Sequence, residues 1–265
     1  MLNATQTLAD HLAFTRYDGS KADSVEMPTL GADNGLALVS MIGADYDDPQ
    51  WDTLLDQLTF NEMVNTITLG FHNTAAIESI GKTRTKDENG PQGLTAALTG
   101  GASAMCYTSE DVMAATFNVD LIHDVGRCIG EDCLAMGYSG LYGPGINMHR
   151  TAYSGRNFEY YSEDGVLSGA MAANAIAGAQ EHGVYAYMKH FALNDQEGNR
   201  NCMVATWSNE QAIREIYLKP FEMSVKDADC HAVMSSFNYI GNRWAGGCSE
   251  LLQNVLRGEW GFLGF

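Results

Sequence analysis

The stretch VYAYMKHFALNDQEGNR, residues 184–200, decides the fold. Its first eight residues are mostly apolar and rich in aromatic side chains, which predicts a buried β-strand over 184–191. Charged and amide side chains follow at once, beginning with Lys189 and His190. A buried strand that ends in polar residues is typical of parallel α/β folds, which carry their functional groups at the carboxyl ends of the strands.

Helix and strand signals alternate on the carboxyl side of this strand. A helix capped by Ser208 and Gln211 is predicted next, and a strand follows in HAVMSSFN, residues 231–238. Ser249 then caps a helix in SELLQNVLRGEW. The pattern predicts that GFLGF, residues 261–265, begins one more strand.

The same alternation holds on the amino side. A helix is predicted from after Ser162 to about His182, and SGLYGPGINM, residues 139–148, predicts a strand and a loop. Asn118 opens a longer helix that ends near Gly137, because glycine enters the left-handed region freely. The apolar stripe of this helix includes Leu121, Ile122, Val125 and Ile129.

Two shorter helices are predicted before these elements. The segment DDPQWDTLLDQL, residues 47–58, has apolar residues at helical spacing. Thr59 and Glu62 form a capping box that starts a second helix through Val64 and Ile67. We expect both helices to be half buried.

This alternation predicts an α/β fold with a parallel sheet. The number of units favours a (β/α)8 barrel of the TIM type, incomplete at its C-terminal end, over an open sheet. Residues 1–46 are rich in Gly, Asp, Thr and Ser, which predicts a linker or N-terminal extension. The barrel domain is therefore expected over residues 47–265.

Charge and composition exclude several classes of partner. The chain has 15 Lys and Arg against 33 Asp and Glu, a net charge of −18, which repels nucleic acid and anionic membranes. Neither an export signal nor an apolar run of about 18 residues is present, so a cytoplasmic location is expected. The six cysteines form no CxxC pair, so we expect free, mostly buried thiols.

Polar residues gather after three predicted strands, in residues 145–164, 188–200 and 234–242. Among the few cations of the chain, five lie in the first two of these segments: Arg150, Arg156, Lys189, His190 and Arg200. One interpretation is that they neutralise nearby acids, namely Glu159, Glu163, Asp164 and Glu197. The other is that donors and acceptors surround a neutral polyhydroxylated ligand, whose hydroxyls need both kinds of partner.

Aromatic side chains in and near these segments could pack on the apolar faces of sugar rings, although aromatic residues at this spacing also form cores. They are Tyr153, Phe158, Tyr160, Tyr161 and Trp207.

Other chemistries lack their motifs. No HExxH, HxH or Cys/His pair has ligand spacing, so neither a metal site nor another cofactor is expected. GADNG (31–35) and GPQG (90–93) are glycine turns without the lysine of a P-loop or the pattern of a dinucleotide fold. A GxSxG nucleophile elbow is also missing.

Six strings, in this order, resemble the barrel domain of glycoside hydrolase family 3, which includes retaining β-glucosidases and β-xylosidases. They are GPGINMHR (143–150), GRNFEYYSED (155–164), GAQEHGVYAYMKHFALNDQEGNR (178–200), REIYLKPFE (214–222), VMSSFN (233–238) and LLQNVLRGEWGFLGF (251–265). Weaker similarity extends back to residue 45. The sequence looks closest to bacterial β-glucosidases whose sandwich domains precede the barrel, which would account for an N-terminal linker. KHFALNDQE, where the N-acetylglucosaminidase branch has a KHFPGHG type of string, points to the glucosidase branch.

The resemblance implies a substrate-binding subsite for the terminal non-reducing sugar. By motif position, it assigns sugar contacts to Arg156, Lys189, His190 and Arg200, and a place in the pocket wall to Met234. Asn89 stands where the family has the aspartate of a DGP motif, and Phe237 stands where it usually has tyrosine. An amide in place of a carboxylate loses charge-assisted strength, so a lower sugar affinity is expected.

The resemblance also implies hydrolysis of β-D-glycosides by a retaining double displacement. In the family, the nucleophile aspartate follows the WGF-x-GF string, so it is expected just beyond Phe265, and the acid/base glutamate comes from another domain. The chain is then expected to bind a β-glucoside or a related oligosaccharide, to need the rest of its polypeptide as a partner, and to be inactive by itself. The alternative is a non-catalytic carbohydrate-binding remnant.

Overall fold

A computed structural model describes residues 26–265, which form two compact units, 26–86 and 87–265. The first 25 residues of the predicted linker lie outside the described residues. The placement of the linker boundary at residue 46 stays a prediction.

The smaller unit holds two short helices and a strand pair. Its elements are α1 (Gln50–Leu55), α2 (Phe60–Thr68), β1 (Asn73–Thr74), the first part of β2 (Thr85–Asn89) and 3-10 turns at Leu38–Met41 and Glu78–Ile80. β1 and β2 pair antiparallel, with Asn73 opposite Lys86. A small core joins Met41 to Leu54, Leu58, Ile77 and Ile80.

The predicted capping box at the start of α2 is confirmed. Thr59 accepts a hydrogen bond from the Glu62 N–H, and the Glu62 carboxylate accepts one from the Thr59 N–H at 2.8 Å. Backbone hydrogen bonds from Ser79 and Thr59 lower the pKa of Glu62 to about 2. The expectation that α2 is half buried is wrong, because Ile67 is 82% exposed within the described unit and Val64 is exposed as well.

The larger unit alternates helices and strands. Its elements are the end of β2, α3 (Glu110–Ala114), α4 (Val119–Met136), β3 (Gly140–Tyr142), α5 (Gly165–Gln180), β4 (Tyr185–Phe191), β5 (Ala205–Thr206), α6 (Glu210–Ala212), α7 (Lys219–Ala228), β6 (Ala232–Ser235), β7 (Tyr239–Ile240) and β8 (Arg243–Trp244). Two π-helical segments, Ile213–Tyr217 and Glu250–Glu259, and 3-10 turns at Asn157–Glu159 and Ala245–Gly247 complete it.

Four of these strands form a parallel sheet in the order β2-β3-β4-β6. Asp87 pairs with Gly140, Leu141 with Ala186, and Lys189 with Met234. Helices α4, α5 and α7 follow β2, β3 and β4 along the chain, so the predicted βα alternation is confirmed. This arrangement is a TIM-type barrel that is incomplete within the described residues.

Close packing of α4 against α5 fixes the helical layer. A Cβ atom on Gly126 would stand 2.2 Å from the Ala175 carbonyl oxygen, and one on Gly178 would stand 2.2 Å from the His123 carbonyl oxygen. Glycine at both positions therefore lets the two backbones approach. The main core, which includes Ile122, lies between these helices and the sheet.

Several helix boundaries confirm the sequence signals and others correct them. Asn118 caps α4 by accepting the Leu121 N–H at 3.1 Å, and Gly137 ends the helix with φ +75°. Leu121 is exposed, so its predicted place in the apolar stripe is wrong. At α5 the cap is Asp164, so the helix begins at Gly165, after Ser162 as predicted.

Two further predictions near the carboxyl side are wrong. Asn209 caps α6 by accepting the Ala212 N–H at 2.8 Å, in place of Ser208 with Gln211. Residues 261–265 are not a strand, although the Phe265 N–H donates to the His231 carbonyl at 3.2 Å and the Val233 N–H donates to the Phe265 carbonyl at 2.8 Å.

Candidate functional site

The site lies at the carboxyl ends of the parallel strands. Asn89 ends β2, Lys189 and His190 lie near the end of β4, and Met234 faces Lys189 across the β4-β6 ladder. Gly145, in the loop after β3, bridges to Lys189. Since parallel strands bring their carboxyl ends to one edge, residues distant in sequence meet there.

Glu159 is the centre of a buried group of charges. The Lys189 Nζ lies 2.9 Å from Glu159 Oε2, and the Arg156 Nε donates to Glu159 Oε1. Glu159 and Lys189 are both buried, and Arg156 is half buried. We call Arg156, Glu159, Lys189 and His190 the Glu159 cluster.

Burial and pairing act against each other in this cluster. Burial by itself would raise the pKa of Glu159, but Lys189 and Arg156 outweigh it and hold that pKa below its ordinary value. Burial lowers the pKa of Lys189, and the Glu159 carboxylate offsets this only in part. Glu159 is therefore ionised at neutral pH and is the counter-charge for two cations that are removed from water to a large extent.

His190 is neutral and oriented. Burial, followed by the charges of Lys189, Arg156 and Arg200, lowers its pKa well below the ordinary value. Arg156 Nη2 lies 2.8 Å from His190 Nε2, and a guanidinium can only donate, so Nε2 accepts. The proton of the neutral ring is then on Nδ1, which lies 3.1 Å from the Tyr160 hydroxyl.

Two asparagines hold the His190 backbone and the Tyr160 and Glu197 side chains by hydrogen bonds. Asn147 donates to the His190 carbonyl at 2.9 Å and accepts the His190 N–H at 2.8 Å. Asn194 donates to the Tyr160 hydroxyl at 3.1 Å and to Glu197 at 3.0 Å. Both residues stand in loops after strands, which is the one sequence signal that could have identified them.

Glu197 connects the Glu159 cluster to Arg200. Its carboxylate lies 2.7 Å from Arg200 Nε and 3.7 Å from Arg156 Nη1. The Arg200 guanidinium lies 4.9 Å from the centre of the Phe237 ring, a cation–π contact. Phe237 thus contacts one of the predicted sugar donors.

The predicted site residues are brought together to different degrees. Arg156, Lys189, His190 and Arg200 form one connected group, and Met234 pairs with Lys189 in the sheet. Asn89 lies two strands away in the same sheet, where its N–H donates to the Glu88 carboxylate at 2.8 Å. Both interpretations of the charges are compatible with this arrangement. The cations neutralise Glu159 and Glu197, as the first requires, and they lie at the strand ends, where the second expects a ligand.

The aromatic candidates divide by exposure. Tyr160 and Tyr161 are buried, Phe158 is exposed, and Tyr153 and Trp207 are exposed beside a cavity. Tyr160 serves as a hydrogen-bond partner of His190 rather than as a flat surface for a ring.

Glu110 is a functional candidate that sequence reasoning missed. It is 0% exposed at the start of α3, and its Oε1 accepts the Gly145 N–H at 3.3 Å. Burial, followed by the nearby charge of Glu159, raises the pKa of Glu110 well above its ordinary value. The Glu110 carboxyl therefore favours its protonated form more strongly than an exposed glutamate does, next to the ionised Glu159.

Other features of the described chain bear on cofactors and location. All six cysteines are free thiols, as predicted, but only Cys133, Cys230 and Cys248 are buried. In residues 26–265, His, Cys, Asp and Glu side chains do not gather into a group of three that could hold a metal ion. None of the described helices has both the length and the apolar composition that a bilayer crossing requires.

Residues 62–265 match the family model described as the glycosyl hydrolase family 3 N-terminal domain. The chain belongs to glycosyl hydrolase family 3. It is 40% identical over 216 residues to a β-glucosidase of Rhizobium radiobacter, a match that covers 80% of this chain and 26% of the relative. It is 37% identical over 220 residues to β-glucosidase B of Emericella nidulans, with 82% and 26% covered.

Solved structures of the family share the fold. The match to a β-glucosidase of Kluyveromyces marxianus in complex with glucose has a TM-score of 0.76 at 31% identity, and it covers 81% of this chain and 26% of that one. The match to β-glucosidase 3B of Thermotoga neapolitana in complex with glucose has a TM-score of 0.68 at 39% identity, with 73% and 28% covered. The chain thus spans about a quarter of the length of these family 3 proteins.

Proposed function

We propose that this chain binds the terminal non-reducing glucosyl residue of a β-glucoside and contributes this subsite to a retaining β-glucosidase. The observation that carries the proposal is the Glu159 cluster, which holds cations, a neutral histidine and carboxylates at the strand ends of a family 3 barrel. Relatives named β-glucosidases, and family structures in complex with glucose, support the choice of sugar.

The chemistry of the cluster suits a neutral sugar. A hydroxyl group donates one hydrogen bond and accepts others, so it can insert between a cation and a carboxylate. Lys189 carries three N–H donors and Arg156 carries five, so each can contact a sugar without releasing Glu159. Because the site is buried, hydrogen bonds there are stronger than in water.

Calorimetric titration with glucose tests the binding proposal. We expect the chain to bind glucose, and Lys189→Met to weaken binding by about 10- to 100-fold, the range for loss of a hydrogen bond to a charged group. Lys226→Met is the matched control, because Lys226 is exposed and pairs with Glu222 at 2.7 Å on α7. Equal affinities of the wild type and Lys189→Met would contradict the assigned role.

For the reaction, we propose that bond cleavage uses a nucleophile aspartate supplied by polypeptide after Phe265 and an acid/base glutamate supplied by another domain. A retaining mechanism needs a nucleophile and an acid/base about 5 to 5.5 Å apart on either side of the glycosidic bond. The quarter-length match to the β-glucosidases is consistent with a site completed by further residues.

Release of nitrophenol from an aryl β-glucoside separates the reaction from binding. Residues 1–265 by themselves should bind glucose and release no product, whereas a polypeptide that also includes the nucleophile and the domain with the acid/base glutamate should release nitrophenol. Turnover by residues 1–265 would refute this division and would point to Glu159 or Glu197 as a catalytic group. Glucose binding without turnover by the longer polypeptide would favour the non-catalytic alternative.

A further inference from the structure

Glu110 holds the loop after β3 that fixes the backbone of Lys189. It is the first residue of α3 and is 0% exposed, and its Oε1 accepts the Gly145 N–H at 3.3 Å. The residues on either side of Gly145 bind the backbone of Lys189. The Lys189 N–H donates to the Pro144 carbonyl at 3.1 Å, and the Ile146 N–H donates to the Lys189 carbonyl at 2.7 Å. The Glu110 carboxyl thus holds the middle of the three-residue segment to which Lys189 is bound.

Gly145 also lies against the backbone of Glu159. A Cβ atom on Gly145 would stand 2.1 Å from the Glu159 carbonyl oxygen and 2.9 Å from the Tyr160 ring, so only glycine allows this approach. The loop therefore contacts the backbone of both partners of the pair in which Lys189 Nζ lies 2.9 Å from Glu159 Oε2. A shift of Gly145 would change the position of the ammonium group relative to the carboxylate.

Glu110 is an unfavourable residue at this position if stability is its only role. Its Oε2 is buried and has no hydrogen-bond partner in the described part of the chain, and a buried polar atom without a partner destabilises the fold. Burial, followed by the charge of Glu159, raises the pKa of this carboxyl, while the charge of Lys189 acts in the opposite direction. An apolar side chain of similar length would avoid these penalties. The hydrogen bond from Gly145 is what such a side chain could not accept.

We propose that Glu110 is a positioning residue for the sugar site: it holds Gly145, and through this loop it orients Lys189 so that the N–H donors not bound to Glu159 point at the sugar. Glu110 does not touch the sugar, because its side chain is fully buried. Position 110 then requires a hydrogen-bond acceptor of this length rather than a negative charge. The inference rests on the proposed function, and it adds a residue of α3 to those that build the site.

Glucose titrations of three variants test this role, followed by NMR to high glucose concentrations so that weak binding can be measured. Glu110→Met keeps the length of the side chain and removes the acceptor, so glucose should bind about tenfold more weakly, the effect of one misdirected hydrogen bond from a charged group. Glu110→Asp is one methylene shorter, cannot reach Gly145, and should also bind more weakly. Glu110→Gln retains the acceptor at the same length and should keep the wild-type affinity to within about twofold.

A double variant shows whether Glu110 acts through Lys189. In the Lys189→Met background there is no ammonium group to position, so adding Glu110→Met should change the glucose affinity by less than about twofold. Gln180→Met is the matched control for the loss of hydrogen bonds between a side chain and the backbone. Gln180 donates to the Ala228 carbonyl at 3.0 Å and accepts the His231 N–H at 3.1 Å, at the amino ends of β4 and β6 and thus away from the site. Its replacement should leave the glucose affinity unchanged.

The outcomes separate this role from the proposed function. If the wild type does not bind glucose, or if Lys189→Met binds it equally well, the proposed function of Lys189 fails and the positioning role fails with it. If Lys189→Met weakens binding but Glu110→Met and Glu110→Asp keep the wild-type affinity, the proposed function stands and the positioning role is refuted.

Two further results would refute the positioning role. One is an equal loss of glucose affinity in Glu110→Gln and Glu110→Met, and the other is a loss from Glu110→Met that is as large in the Lys189→Met background as in the wild type. Circular dichroism shows whether each variant is folded. If Glu110→Met does not fold, the comparison of Glu110→Asp with Glu110→Gln decides the test.

Discussion

Two groups of ion pairs in the larger unit have similar geometry and differ in burial. In the Glu159 cluster the Lys189–Glu159 distance is 2.9 Å, and both side chains are less than 8% exposed. On the surface, Arg214 lies 2.9 Å from Glu210 and 2.6 Å from Glu259, and its side chain is 41% exposed. Distance alone therefore does not distinguish the proposed sugar site from an ordinary surface group of charges.

The two groups differ in the free-energy penalty of removing their charges from water. Removing charges from water carries a large penalty that pairing offsets only in part, so a buried pair adds little net stability. Exposed pairs have little penalty and little benefit. A costly buried group at strand ends is thus better explained by a ligand than by stability, and the predictions below test this contrast.

Replacement of Glu159, the centre of the buried cluster, should have the largest effect on the free energy of unfolding. Glu159→Gln leaves Lys189 and Arg156 without their shared carboxylate, so we expect a loss of about 3–5 kcal/mol in the free energy of unfolding. Urea denaturation measures it. A loss below about 1 kcal/mol would mean that the cluster is open to water and behaves like the surface group.

The double variant Glu159→Gln with Lys189→Met separates stability from function. It removes the carboxylate and one of the cations together, so it should be more stable than Glu159→Gln alone. It should still bind glucose at least about 10-fold more weakly than the wild type, because Lys189 is absent. Wild-type glucose affinity in the double variant would show that neither charged residue contacts the sugar.

The buried acid Glu110 predicts a pH-dependent effect. Its pKa is raised in the folded state, so its contribution to stability is full below the unfolded pKa and is lost as pH rises through the folded pKa. Between those values the loss is about 1.4 kcal/mol per pH unit. Glu110→Gln should therefore be more stable than the wild type at pH 7, with a smaller difference at pH 4.5. Parallel stability curves of the two proteins from pH 4.5 to 7 would contradict a raised pKa of Glu110.

Asn89 is the position at which a substitution should raise the glucose affinity rather than lower it. If it contacts the sugar, Asn89→Asp should tighten glucose binding about fivefold, because a charge-assisted hydrogen bond is roughly twice as strong as a neutral one. Calorimetry compares it with Asn201→Asp, the same change at an exposed position. An unchanged affinity would place Asn89 outside the sugar site.

The surface group should give the smallest effect. Arg214→Ala breaks both exposed pairs, and we expect Tm to change by at most about 2 °C and glucose affinity to stay the same. A change in Tm comparable to that of Glu159→Gln would remove the contrast on which the assignment depends.

The sequence predicts those features that depend on local patterns or long motifs. Three such features can be predicted because each depends on neighbouring residues. They are the apolar run that becomes β4, the Thr59 capping box and the two ends of α4. Four of the predicted site residues were chosen from their motifs, and the structure joins them into one group, while their roles stay predictions.

The predictions that failed involve either two neighbouring residues that could both cap a helix or partners that lie far apart in the sequence. Ser208 and Asn209 are adjacent and both suit a cap, so only the backbone path selects Asn209. Glu110 lies 35 residues from its partner Gly145, and nothing around it in the sequence marks it as a buried acid. The exposure of Ile67 likewise depends on tertiary packing that periodicity does not encode.

The central claim is that the Glu159 cluster binds a sugar, and a crystal structure of the chain soaked with glucose tests it most directly. We predict a glucose molecule with hydroxyls within 3.2 Å, the usual hydrogen-bond limit, of Lys189 Nζ and an Arg156 nitrogen. Glucose bound elsewhere, with the Lys189–Glu159 pair untouched, would contradict the claim and would make these charges a structural group only.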